Sequence, residues 1–169
     1  MNRYVPLITV AVAFLLQAAL VPYIAIAGVM PNALLLAAVT IALVKGPRAG
    51  MLSGFVAGIL FDLLGTGPIG AGAFVFCLVG FISGSVQEST FSDGWVVPLV
   101  IVFVASATAE ATYAVGLAVL GEGGFSMGSA FRLVLPAALY NSALAVLVYP
   151  WVARFLRREK PMTTFRRLA

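Results

Sequence analysis

Two acidic residues inside apolar segments are the first candidates for chemistry. Asp62 comes near the end of its segment, whereas Glu110 falls near the middle of a long one, where an ionised carboxylate is costly unless it is paired or faces polar groups. Acid–base catalysis would need both carboxyls within reach of one substrate, but the two lie at different predicted depths. Glu110 is thus interpreted as a hydrogen-bonding residue that fixes helix packing, with an ion relay or substrate ligand as the alternative. Its candidate partners are Gln17, Asn141, Tyr113 and Tyr140.

Other catalytic or metal-binding residue types are scarce. The chain has no histidine and a single cysteine, Cys77, which excludes an intrachain disulfide, a Cys/His metal cluster and a histidine base. Cys77 lies in an apolar run and is interpreted as a small core residue. The glycine-rich stretch from Gly65 to Gly70 lacks the lysine and upstream strand of a phosphate-binding loop, so it predicts a tight turn. We expect no catalytic residue, metal or cofactor.

Glycines recur every fourth residue just before Asp62, at Gly50, Gly54 and Gly58. This spacing puts them along one stripe of a helix, and small residues let a second helix approach closely in lipid. Gly80 and Gly84 repeat the spacing in the next segment. Dense internal packing is the plain interpretation, and docking of a partner's helix is the functional one.

Composition sets the fold class. Of 169 residues, 62% are hydrophobic and 9% are charged, far from the mix of soluble domains. The sequence predicts an all-α integral membrane protein, a compact bundle of about six transmembrane helices, with five possible because the second and third segments are short and could form a re-entrant hairpin. Residues 1–155 form one polytopic membrane domain and residues 156–169 a basic cytoplasmic tail. The predicted helices are Tyr4–Ala25, Pro31–Val44, Ala49–Leu64, Ile69–Val86, Trp95–Leu120 and Leu133–Phe155.

Lysine and arginine predict the orientation, because cytoplasmic loops hold the excess of both. With six crossings, every basic residue except Arg132 falls on one side, which predicts that both termini are cytoplasmic. The tail then faces anionic lipid headgroups, with an adaptor site for a cytoplasmic partner as the alternative. The basic residues lie at the ends of apolar segments, so we expect no nucleic-acid binding. The start of the chain imitates a signal peptide, but its apolar run is longer than usual, which favours an uncleaved first helix.

Several motifs occur in an order that resembles the MreD family of bacterial cell-elongation membrane proteins. Met30–Leu36 opens the second segment, Gly54–Leu63 leads to Gly65 and Gly70, and Tyr140-Asn141 precedes Tyr149-Pro150-Trp151 in the last segment. Together the motifs span nearly the whole chain.

The resemblance implies a non-enzymatic scaffold in the bacterial inner membrane. It would bind MreC and help couple MreB filaments to peptidoglycan synthesis by RodA and a class B penicillin-binding transpeptidase, and a homodimer is possible. The alternative is a small-molecule binder similar to the substrate-binding subunits of energy-coupling factor vitamin transporters, which have a similar size and helix count, although Val10–Leu20 lacks their Ala-x-x-x-Ala motif. The family positions, taken as structural or partner-contact sites, are Pro31, Asn32, Gly54, Gly58, Asp62, Asn141 and Pro150, with an acid in the fifth segment at Glu110.

Overall fold

The computed structural model describes residues 4–26, 28–65, 69–90, 96–119 and 127–157. These residues form an all-α bundle, which confirms the predicted fold class, and the part described contains no β-strand beyond one isolated bridge between Ile26 and Val29. Six α-helices are present, and a short 3₁₀ helix, Val21–Ile24, follows the first of them. Their bounds are α1 Tyr4–Ala19, α2 Ala33–Lys45, α3 Pro47–Leu64, α4 Ala71–Ser89, α5 Val96–Val119 and α6 Met127–Arg157.

Four of these helices, α3 to α6, are long and apolar enough to cross a membrane. The prediction that the third segment is short was wrong, because α3 begins at Pro47 and has 18 residues. Proline is tolerated in the first turn of a helix, where its missing N–H has no intrahelical acceptor. The helices below this length are α1, with 16 residues, and α2, with 13. Similarity to vitamin-transporter subunits stays a prediction.

Several other helix ends differ from those predicted. Helix α1 stops at Ala19 and not at Ala25, because Pro22 cannot donate the backbone hydrogen bond that would continue the helix. Helix α2 starts at Ala33, since Asn32 occupies the N-cap. Helix α6 extends to Arg157, two residues beyond the predicted end of the membrane domain.

Helix α2 lies at the centre of the bundle. Ten of its 13 residues are buried, and eight of these belong to the apolar core. A helix of 13 residues is only ~20 Å long, whereas the hydrocarbon layer is ~30 Å thick. Helix α2 is therefore surrounded by other helices and not by lipid. The unpaired backbone N–H and C=O groups at its ends must find hydrogen-bond partners within the protein.

Candidate functional site

The start of α2 is a cluster of polar contacts inside the apolar bundle. The first N–H groups of a helix have no partner within that helix, and in lipid no water replaces one. Here Leu35 donates its N–H to the Oδ1 of Asn32, at 2.9 Å, as in a standard N-cap. Ala33 donates to the Oε1 of Gln17 on α1, at 2.7 Å. The N–H of Asn32 itself donates to the Oδ1 of Asn141 on α6, at 2.8 Å.

Glu110 joins the same cluster from α5. Its carboxyl group is hydrogen-bonded to the side chain of Asn32. We call the four residues Gln17, Asn32, Glu110 and Asn141 the polar hub, since they tie α1, α2, α5 and α6 together at the start of α2. Asn32 and Asn141 are 4% and 1% exposed.

Two members of the polar hub, Gln17 and Asn141, were among the predicted partners of Glu110, but Asn32 was not. Asn32 is hydrogen-bonded to Glu110, and Asn141 is linked to Asn32 by its own bond. Gln17 contacts the same turn, but its bonds go to the backbone of Ala33 and Pro31. The signal that would have identified Asn32 is an asparagine directly before a long apolar run, which is the pattern of an N-cap.

Tyr140, another candidate partner of Glu110, donates its hydroxyl to the carbonyl of Ile24 at 2.7 Å. This bond fastens the 3₁₀ helix after α1 to α6. Sequence reasoning did not find it, because the acceptor is a backbone atom. Tyr113 packs edge-on against Phe61 with ring centroids 5.7 Å apart.

Asp62 has a separate role, near the end of α3, where the chain turns into α4. Its carboxylate accepts hydrogen bonds from the backbone N–H groups of Gly70, Gly72 and Ala73, at 2.7, 2.9 and 3.2 Å. Gly70, the N-cap of α4, has φ +108° and provides no side chain, so the cap comes from α3 instead. A negative charge here also complements the positive end of the helix dipole. Asp62 is only 2% exposed, and both of its oxygens accept bonds from α4.

The glycine stripe lies between α3 and α4, which run antiparallel. A Cβ atom on Gly54 would overlap the backbone carbonyl of Phe76, and one on Gly58 would overlap the backbone at Gly72 and Ala73. Such close approach maximises van der Waals contact, the main source of helix association in lipid. The remaining members take part in the same way: Gly50 meets Gly80, and Gly84 meets Pro47.

The two candidate prolines occupy different settings. Pro31 is buried directly before the N-cap of α2, and its carbonyl accepts a bond of 3.4 Å from Gln17. Pro150 lies inside α6, between the buried Tyr149 and Trp151, which is 70% exposed. The candidate residues thus fall into three groups: the polar hub with the adjoining Pro31, the Asp62 cap with the glycine contact, and Pro150 alone.

The polar hub and the Asp62 cap join helices at separate places in the described bundle. The polar hub contains one titratable side chain, and the Asp62 carboxylate is occupied by helix N–H groups. Within the described residues no three potential metal ligands come together.

A groove of about 620 Å³ lies between α1 and α6, and we call it the α1–α6 groove. Its walls are almost wholly apolar, and α2 forms its floor. It reaches from Val5 and Phe155 at one end to Leu20 and Ile24 at the other. Few polar groups are available to orient a vitamin-like ligand, since such sites combine apolar walls with a few placed polar groups.

Comparison with known proteins identifies the chain at the level of a family. The model of the family described as rod shape-determining protein MreD matches residues 1–159. No curated protein and no solved structure matches the chain. Because the match covers nearly the full length, including the polar hub, the Asp62 cap and Pro150, this all-α membrane protein belongs to the MreD family.

Proposed function

We propose that this chain is a non-enzymatic scaffold of the bacterial cell-elongation complex. In this proposal it binds MreC within the inner membrane and helps couple MreB filaments to peptidoglycan synthesis by RodA and a class B penicillin-binding transpeptidase. The family match over residues 1–159 carries the proposal. The use of Asp62, Asn32 and Asn141 in joining helices supports it, because a scaffold needs a rigid shape more than it needs a reactive group.

The glycine stripe has a structural role in this proposal. Gly50, Gly54 and Gly58 face α4 of the same chain, so a partner would meet other surfaces of the bundle. The stripe would then affect MreC binding indirectly, by keeping α3 and α4 in register.

Capture of MreC tests the proposal. Detergent-solubilised chain, co-expressed with tagged MreC, is expected to copurify with it, whereas an unrelated six-helix membrane protein is not. The variant Gly116→Ala is expected to copurify with MreC like the wild type, because a Cβ atom at Gly116 meets no atom within 4 Å. A wild-type chain that is monodisperse and thermally stable but retains no MreC would contradict the proposal.

A ligand screen addresses the alternative of a vitamin-binding subunit. A ligand at 100 times its dissociation constant stabilises a protein by about 2.7 kcal/mol, which a thermal-shift assay detects. We expect no shift with a panel of vitamins. A reproducible shift with one of them, together with failure to capture MreC, would favour the transporter function.

The proposed orientation has both termini in the cytoplasm. It rests on the excess of lysine and arginine at one end of the bundle, where Lys45, Arg48 and Arg154 lie. A green fluorescent protein fused after Ala169 is expected to fluoresce, and alkaline phosphatase at the same position to stay inactive. The opposite pair of results would place the C-terminus outside.

A further inference from the structure

The α1–α6 groove has chemically different ends. At one end Leu20 and Ile24 line the groove, and Tyr140 fastens the backbone of Ile24. The other end lies between Val5 and Phe155. This second end is on the basic side of the bundle, the side of Lys45 and Arg48, because α1 starts there and α6 ends there.

An amphipathic side chain and a cation lie at this basic end of the groove. Trp151 lines the groove and is 70% exposed, and tryptophan is enriched where hydrocarbon meets headgroups. Arg154 is exposed and lies three residues after Trp151, next to Phe155. Residues three apart are neighbours on a helix surface, so Arg154 lies beside Trp151, just outside the residues that line the groove.

The volume favours a slender occupant. A groove of about 620 Å³ falls within the ~300–1,000 Å³ that hold ligands of drug-like size, and a fatty-acyl chain has a comparable number of non-hydrogen atoms. A transmembrane helix of about 20 residues is much larger than this space and would rest across the groove without filling it. The apolar walls match an acyl chain along its whole length.

Charge selects the headgroup. Basic pockets between transmembrane helices on the cytoplasmic side bind acidic lipid headgroups, and each lysine or arginine near an anionic surface adds attraction. Arg154 is such a cation, and the sequence continues with Arg157, Arg158 and Lys160. We propose that the α1–α6 groove binds one anionic phospholipid, with an acyl chain between α1 and α6 and the phosphate at Arg154.

Lipid titration of the delipidated full chain tests this site. The protein in a neutral maltoside detergent receives phosphatidylglycerol or phosphatidylcholine with identical acyl chains, and native mass spectrometry counts the bound lipids. We expect one phosphatidylglycerol per chain, bound more tightly than phosphatidylcholine. Water-soluble glycerol phosphate is expected not to compete, because it has no chain to occupy the groove.

Paired variants locate the site. Arg154→Gln is expected to weaken phosphatidylglycerol binding about fivefold, whereas Arg48→Gln, at an exposed arginine on the same side, leaves it unchanged. Val12→Trp fills the groove from a position 49% exposed and is expected to reduce binding, whereas Ile82→Trp on α4, 55% exposed, is not. Melting temperatures of all variants check that each is folded.

Three results would overturn the proposal. Equal binding of the two phospholipids would mean that the lipid contacts are nonspecific. Equal effects of Arg154→Gln and Arg48→Gln, or of Val12→Trp and Ile82→Trp, would place the lipid outside the groove. A photo-crosslinking residue at position 12 that joins the chain to MreC in cells, and never to lipid, would show that a protein helix covers the groove.

Discussion

Replacing Asp62 with alanine tests whether one side chain on α3 holds the start of α4. The substitution removes the acceptor of three backbone N–H groups, two of them in fully buried bonds. Side-chain hydrogen bonds in membrane helices are worth about 0.6 kcal/mol on average and up to ~1.7 kcal/mol. Three such bonds give a loss of roughly 2–5 kcal/mol, and the charged acceptor at a helix N-terminus favours the upper half.

The measurement is thermal unfolding in detergent, followed by circular dichroism. A loss of about 3 kcal/mol lowers the melting temperature by roughly 6–12 °C for a chain of this size. Asp62→Asn keeps one acceptor oxygen but loses the charge, so its melting temperature should fall between those of the wild type and Asp62→Ala.

Gly116→Ala is the control, because a Cβ atom at Gly116 meets no atom within 4 Å. Substitutions that disturb no contact usually change stability by less than ~0.5 kcal/mol. If Asp62→Ala melts at the same temperature as Gly116→Ala, the capping argument is refuted.

Two further predictions concern the glycine contact and the polar hub. Gly54→Ala places a methyl group against the backbone of Phe76 and should lower stability by about 1–3 kcal/mol, whereas Gly116→Ala should be neutral or slightly stabilising; equal melting temperatures would contradict the close approach of α3 and α4. Glu110→Leu and Asn32→Ala should each destabilise the bundle and show a coupling of about 0.5–3 kcal/mol in a double-mutant cycle, measured by the same unfolding assay, whereas additive effects would argue against the bond between them.

Sequence patterns identified the important polar residues of the bundle, but they did not identify most of the groups to which these residues are hydrogen-bonded. Asp62 and Glu110 stand out as charges in apolar segments, but the residues that satisfy them lie elsewhere in the chain. Asn141 bonds to Asn32 across 109 positions, and no local pattern encodes that distance. The partners of these side chains are also often backbone atoms, such as the N–H of Gly72 that bonds to Asp62. Every residue type has such atoms, so the sequence gives no sign of them.

The glycine spacing was informative because it reports on geometry within one helix. It did not identify the facing helix, although the short connection from Gly65 to Gly70 requires neighbouring antiparallel helices. The central position of α2 could not be read from its sequence, because a helix surrounded by lipid and one surrounded by protein are apolar on all sides alike. Its length, 13 residues, was the available clue.

The burial of α2 has a consequence for the order of assembly. Chains are made from the N-terminus, so α2 leaves the ribosome before Glu110 and Asn141 exist. Until α5 and α6 arrive, the backbone amide of Asn32 and its side chain lack the acceptors that the finished protein supplies. We expect α2 to settle into its final position only after the last helix is inserted, so that truncation before Asn141 leaves a species that quality-control proteases in the membrane degrade.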